Sequence, residues 1–194
     1  MVLECQDPAG GHPGWSKSYN RAPTIGTSLS PDSIVLSWLL NEKPEAIIGK
    51  DAKLPQGLSK SRKAGPAWLV QIVDAATGEQ RWLDVVDGFE RPNFAVAGDY
   101  LLVSNPDNRL AIRRWKDGST AARTFGRGVA FHAGRGRLAI QNIDSELRIL
   151  DPANGAELER LQFAAPVVLA GFSRDGGRMA VVTSDQHVLT LTVP

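Results

Sequence analysis

The sequence predicts an all-β protein: an array of about four small antiparallel sheets, each of four strands, repeated along the chain. Three observations predict it. Residues 131–147 and 172–188 say the same thing twice, with Phe131 and Phe172, Leu138 and Met179, Asp144 and Asp185, and Leu147 and Val188 each 41 apart. A fixed period of tens of residues marks a repeat architecture. Within the period, short apolar runs alternate with Gly/Asp turns, the pattern of short strands. No stretch carries convincing helical periodicity.

The elements follow in order. Residues 1–23 are rich in Gly, Pro, Ser and Asn, and Gly10-Gly11-His12-Pro13-Gly14 cannot hold a helix. They read as an irregular N-terminal arm, with Trp15 and Tyr19 as its only large apolar side chains and an ordered arm as the alternative. The repeat domain is expected to occupy 24–194. Thr24 to Leu29 is a candidate strand, Ser30 to Ser33 a turn built on Pro31 and Asp32, and Ile34 to Leu40 a stronger, β-branched and aromatic strand.

Residues 41–66 interrupt the pattern. Lys43, Lys50, Lys53, Lys60, Arg62 and Lys63 face only Glu42, Glu45 and Asp51, and Pro44, Pro55 and Pro66 prevent a long helix. The segment reads as a cationic surface loop inserted between two strands, with Ala46 to Ile48 as a candidate short strand. Sheet then resumes with Trp68 to Val73, the Asp74-Ala75-Ala76-Thr77-Gly78 turn, and Gln80 to Val86.

The repeat continues through Leu101, Leu110 and Gly118, each 37 before Leu138, Leu147 and Gly155, while Gly78 lies 40 before Gly118. Four units emerge: 24–86, 93–125, 127–162 and 166–193. Their strands are a, b, c and d; in the third unit they fall near 127–132, 137–142, 146–150 and 156–162. Leu138 to Ile140 and Met179 to Val182 are apolar on both faces, which suits sheets packed between neighbouring sheets as in a propeller. The last unit is one strand short, and residues 14–22 are the candidate to complete it, since an unpaired edge invites association.

The stretch from Gly136 to Asp151 resembles a WD40-type β-propeller repeat, with Leu150 where that family carries Trp and Asp151 on its Asp. Phe172-Ser173-Arg174-Asp175-Gly176 is similar to the a–b turn of bacterial propellers, and Asp107, Asp144 and Asp185 match the b–c turn aspartate. No unit carries the Trp-Asp pair or an opening Gly-His pair. Asp74 to Trp82 is similar instead to the repeat of quinoprotein-like propellers. The resemblance implies a propeller of about four blades, or a part of a larger ring. It assigns no function, because this superfold hosts ligand-binding proteins, enzymes and scaffolds alike.

Composition excludes little. With 22 Lys+Arg against 21 Asp+Glu, no global charge points to nucleic acid or a membrane surface. Cys5 is the single cysteine and cannot form an internal disulfide; the N-terminus has no secretory pattern, and no apolar run could span a bilayer. A soluble, cytoplasmic location is expected. His12, His132 and His187 match no zinc spacing, and the recurring turn aspartates Asp74, Asp144, Asp151, Asp175 and Asp185 read as structural. Gly126-Arg127-Gly128 and Gly134-Arg135-Gly136 precede no helix and so lack a phosphate loop's anion-binding N-terminus.

The expected function is a non-catalytic scaffold binding an acidic protein partner, with no cofactor or metal and no nucleic-acid or membrane partner. Its candidate contacts are Lys50, Lys53, Lys60, Arg62 and Lys63 of the insert, with Arg114 and Trp115 at a turn edge, where aromatic and Arg side chains favour interfaces. The alternative is a ligand- or cofactor-associated quinoprotein-like propeller, a fragment of an enzyme.

Overall fold

The computed structural model describes residues 1–6, 13–49, 66–142 and 145–193. They divide into two compact units, Met1–Arg91 and Pro92–Pro194.

In the first unit, β1 (Val2–Gln6) and β2 (Pro13–Ser18) form an antiparallel hairpin. Then come β3 (Thr24–Ile25), β4 (Thr27–Ser28), β5 (Ser33–Leu39), the one-turn helix α1 (Pro44–Ile48), β6 (Ala67–Asp74) and β7 (Gln80–Asp87). The sheet order is β3-β5-β6-β7, each strand antiparallel to its neighbour. One face carries Ile34, Leu36, Trp38, Leu69, Val73, Leu83 and Val85, and a lid covers it: Leu3 and Trp15 from the hairpin, Tyr19 after it, and Ile47 and Ile48 of α1.

Two expectations are corrected here. The N-terminal arm is not irregular along its whole length, because Trp15 and Tyr19 are the anchors that fold it onto the sheet. Tyr19 is buried, its hydroxyl donates to Gln71 Oε1 at 2.8 Å, and its ring lies 5.2 Å from that of Trp38. The backbones of Met1 and Tyr19 exchange hydrogen bonds. The Trp15 indole N–H donates to the Ala75 carbonyl, and its ring lies over Gly78, where a Cβ would fall 2.6 Å from it. Ala46 to Ile48 is helix rather than strand. Pro44 presets φ at the first helical turn, and a helix lets the consecutive Ile47 and Ile48 both be buried, where a strand would point them to opposite faces.

In the second unit, β8 (Asn93–Ala97), β9 (Tyr100–Ser104), β10 (Arg109–Arg114) and β11 (Thr120–Phe125) pair in sequence. The next sheet is β12 (Arg127–His132), β13 (Arg137–Gln141), β14 (Glu146–Leu150) and β15 (Glu157–Gln162), with a 3₁₀ turn at Ala133–Arg135. The last is β16 (Val167–Phe172), β17 (Arg178–Thr183) and β18 (Val188–Thr192). It has three strands among the described residues. The proposed donor segment 14–22 instead supplies β2, whose partner is β1. The candidate strand Thr24 to Leu29 is broken into the two short strands β3 and β4, of which β3 pairs with β5; the other strands fall where the repeat puts them.

The repeat is also written in the backbone. The b–c turns of the second, third and fourth sheets hold a non-glycine residue at positive φ: Asn108 at 58°, Ser145 at 61° and Gln186 at 67°. The c–d turns use Gly78, Gly118 and Gly155 at 69–75°. Each of these glycines donates its N–H four residues back, to Asp74, Arg114 and Asp151. Side chains then interlock adjacent sheets. Ala130, Ala139, Leu147 and Ile149 of the third sheet share a core with Val167, Ala170, Met179 and Val181 of the fourth.

Removing the Tyr19 hydroxyl leaves Gln71, buried at 1% exposure, with one bond fewer. Tyr19→Phe is expected to cost about 1–2 kcal/mol in urea unfolding. Gly78→Ala should cost more than about 1 kcal/mol, since it meets both an adverse φ and the Trp15 ring.

Candidate functional site

The described turn aspartates Asp74, Asp151, Asp175 and Asp185 are each hydrogen-bonded within their turns. Asp74 Oδ1 accepts the N–H groups of Ala76 and Thr77, while Oδ2 accepts from Arg81. Arg81 also reaches Asp32 Oδ2 at 3.0 Å and Ser33 Oγ at 2.8 Å. The Arg81 bond, then the backbone N–H bonds, hold the Asp74 carboxyl below its ordinary value. Asp151 Oδ1 accepts from Ala153 N–H, and Asp175 Oδ1 from Ser173 Oγ and Gly177 N–H. Asp185 pairs with Thr183 Oγ1 and His187 Nδ1. Hydroxyl bonds from Ser173 and Thr183 are the main cause of the lowered pKa of Asp175 and Asp185 respectively. Asp144 lies outside the described residues.

His132 Nδ1 accepts the Arg135 N–H at 3.1 Å, which leaves Nε2 to donate to the Arg174 carbonyl at 3.0 Å. One neutral tautomer therefore ties the third sheet to the a–b turn of the fourth. His187 is exposed beside Asp185. His12 lies outside the described residues. Among the described residues no three His, Cys, Asp or Glu side chains form a metal cluster.

Of the predicted partner contacts, Lys50, Lys53, Lys60, Arg62 and Lys63 lie outside the described residues. Arg114 and Trp115 stand together at the c–d turn of the second sheet. Trp115 is 7% exposed, and its indole N–H donates to the Gly98 carbonyl at 2.8 Å, closing the a–b turn beside it. Arg114 Nη2 donates to the Ala153 carbonyl of the next sheet at 3.0 Å, and Lys116 covers the Trp115 ring at 5.4 Å. The insert leaves the first sheet at its b–c end, whereas a c–d turn lies at the opposite end of its sheet.

At the b–c end of the second and third sheets, a recess of about 260 Å³ is lined by Asn108, Arg127, Gln141 and Asn142. Its construction starts at Asn108, whose positive φ turns its carbonyl to accept the Gly126 N–H at 2.7 Å. Gly126 adopts φ 120°, and a Cβ there would sit 2.5 Å from the Gln141 carbonyl oxygen, so only glycine fits. The chain passes from β11 to β12 in that one residue and presents Arg127 at the rim. Arg127 Nε and Nη2 both donate to Gln141 Oε1, at 3.1 and 2.8 Å. The remaining guanidinium N–H groups have no carboxylate partner among the described residues. Among the described residues the lining is rich in N–H donors and contains no acid, the chemistry of a receptor for a carboxylate or peptide carbonyl. Its volume suits one side chain rather than a larger ligand.

Sequence reasoning did not assemble this recess. Its signal was Gly126-Arg127-Gly128, which is no phosphate loop but a one-residue connection between sheets.

No family model and no curated protein matches the chain. Solved structures do. BamB from Moraxella catarrhalis aligns with a TM-score of 0.52 at 14% identity, over 98% of this chain and 52% of that one. The WD40 domain of Toxoplasma gondii coronin aligns with 0.53 at 11% identity, over 87% and 42%. The computationally designed Ika4 protein aligns with 0.54 at 12% identity, over 90% and 94%. The chain spans about half the length of BamB. At these identities the likeness shows the fold alone: a β-propeller-type fold. No helix among the described residues is long and apolar enough to cross a membrane.

The Asp74 carboxyl, held below its ordinary value of 3.8, stabilises the fold above that pH, and the contribution is lost as pH falls through the lowered value. Asp74→Asn is therefore expected to reduce thermal stability at neutral pH and to shrink the difference from wild type in acid. A gap that persists unchanged at low pH would contradict the assignment.

Proposed function

We propose that this chain is a propeller-type interaction module without catalytic chemistry of its own, which receives an acidic segment of a protein partner. The observation that carries the reading is the recess of Asn108, Arg127, Gln141 and Asn142. A carboxylate entering it meets a guanidinium already oriented by Gln141, so little side-chain entropy remains to be lost on binding. Asp74, Asp151, Asp175 and His132 support the non-catalytic half of the reading, because each is engaged in holding backbone.

The cationic insert supports the same partner charge. Lys60, Arg62 and Lys63 fall within four positions, with Lys50 and Lys53 nearby, and residues 50–65 contain no aromatic side chain on which bases could stack. An acidic protein therefore suits it better than nucleic acid. The reading includes a cytoplasmic location, for which the lone Cys5 is the support.

The test is a nuclear magnetic resonance titration with a Glu-rich peptide and a neutral Gln-rich counterpart. The side-chain amide signals of Asn108, Gln141 and Asn142 should shift with the acidic peptide only. Arg127→Gln should weaken binding by about tenfold or more, and salt should weaken it in wild type. Replacing residues 50–65 by a Gly-Ser linker, with α1 retained, should reduce that salt dependence. Shifts confined to other surfaces, or affinity unchanged in Arg127→Gln, would overturn the proposal.

A further inference from the structure

The joint between the second and third sheets departs from the joint between the third and fourth. The Gly126 N–H donates to the Asn108 carbonyl, and one joint later the Phe163 N–H donates to the Ser145 carbonyl at 3.1 Å. Arg127 pairs in register with Gln141, and Val167 with Thr183. In the later joint Phe163 packs against the shared core, and Val167 and Thr183 are buried. In the earlier joint the same places hold Gly126, which has no side chain, and the polar pair Arg127 and Gln141. The fold closes one joint with a phenylalanine and a valine, and it leaves the other open as the recess.

The polar groups of the lining are only partly used. Gln141 is 8% exposed, and its Oε1 accepts both Arg127 bonds. Its Nε2 has no partner among the described residues, and an unpartnered donor on so buried a side chain is costly. The Arg127 Nη1 group and the second Nη2 proton are unused in the same sense. The Asn108 side-chain amide also makes no hydrogen bond among the described residues, and it offers an acceptor oxygen beside its donors. Such a lining matches a carboxylate with an N–H close beside it. The α-carboxylate at the end of a chain has that N–H on the same carbon. A Glu or Asp side-chain carboxylate stands further from its own N–H, and its chain must continue both ways past a recess with room for one residue. A free amino acid would bring an ammonium, for which the lining holds no acid among the described residues.

We propose that the recess captures the C-terminal residue of the partner's acidic segment. The α-carboxylate takes the free Arg127 N–H groups and Gln141 Nε2, and the last peptide N–H donates to the Asn108 side-chain oxygen. This rests on the reading of the recess as the receptor for an acidic segment, and it adds which carboxylate enters. Gln141 then has two tasks: its oxygen orients Arg127, and its nitrogen binds the chain end.

Isothermal titration calorimetry tests it with two N-acetylated Glu-rich peptides, one ending in a free carboxylate and one in a carboxamide. The free-ended peptide should bind wild type at least about tenfold more tightly. Gln141→Glu keeps an oxygen for Arg127 but replaces the Nε2 donors by a second carboxylate oxygen, and it should lose that preference. Asn108→Gly keeps the positive φ and the carbonyl bond to Gly126, removes only the side-chain amide, and should weaken the free-ended peptide by about threefold or more. Both variants are checked for an unchanged fold by their backbone amide spectra. N-acetylglutamate should bind more tightly than glutamate, which separates a chain end from a free amino acid. Equal affinity for the two peptides, or a preference that Gln141→Glu retains, overturns the proposal and leaves the acidic-segment reading standing. Glutamate binding as tightly as N-acetylglutamate overturns the chain-end assignment. Binding of neither peptide overturns the proposal together with the reading it rests on.

Discussion

A small sheet that is apolar on both faces is stable only when both faces are covered, and this requirement organises the chain. Leu138 and Ile140 point to one side of the third sheet and Ala139 to the other, and all three are fully buried. No single four-stranded unit could achieve that alone. Burial on one side is supplied by the next unit of the repeat, as where Met179 and Val181 meet Leu147 and Ile149. At the first sheet it is supplied by something outside the repeat: a hairpin, a buried tyrosine and one turn of helix.

The turns keep the sheets in register for this packing. Positive φ recurs at Asn108, Ser145 and Gln186 and again at Gly78, Gly118 and Gly155. These turns conserve a backbone shape while the side chains vary, with Asp74 and Asp151 giving way to Arg114 at the same position. The variation is informative. Where the position is Asp, its carboxylate accepts its own turn's N–H groups; where it is Arg, the side chain reaches the neighbouring sheet at Ala153.

Much of this was legible in the sequence because period, apolar runs and turn residues all report local backbone. The third unit's β12 and β14 fall on their expected bounds. What the sequence concealed depended on tertiary contact. Ala46 to Ile48 has the β-branched look of a strand, and only the apolar face available to Ile47 and Ile48 makes it a helix. The hairpin is hidden in a Gly- and Pro-rich stretch whose order comes from Trp15 and Tyr19. The recess needs Asn108 at positive φ beside the Gly126 connection, and nothing about an asparagine in a turn announces which carbonyl it will aim. Trp115 was legible as an aromatic at a turn edge, and its buried indole N–H bond fixes what it does there.

Native-state hydrogen exchange, read strand by strand in dilute protein, tests most directly whether two-sided coverage is the source of order. Amides of β13 and β14, in the sheet buried on both sides, should exchange slowest in the second unit. Those of β18, unpaired along one edge among the described residues and with one exposed face, should exchange fastest among its strands. Protection of β18 equal to that of β14 would contradict the account.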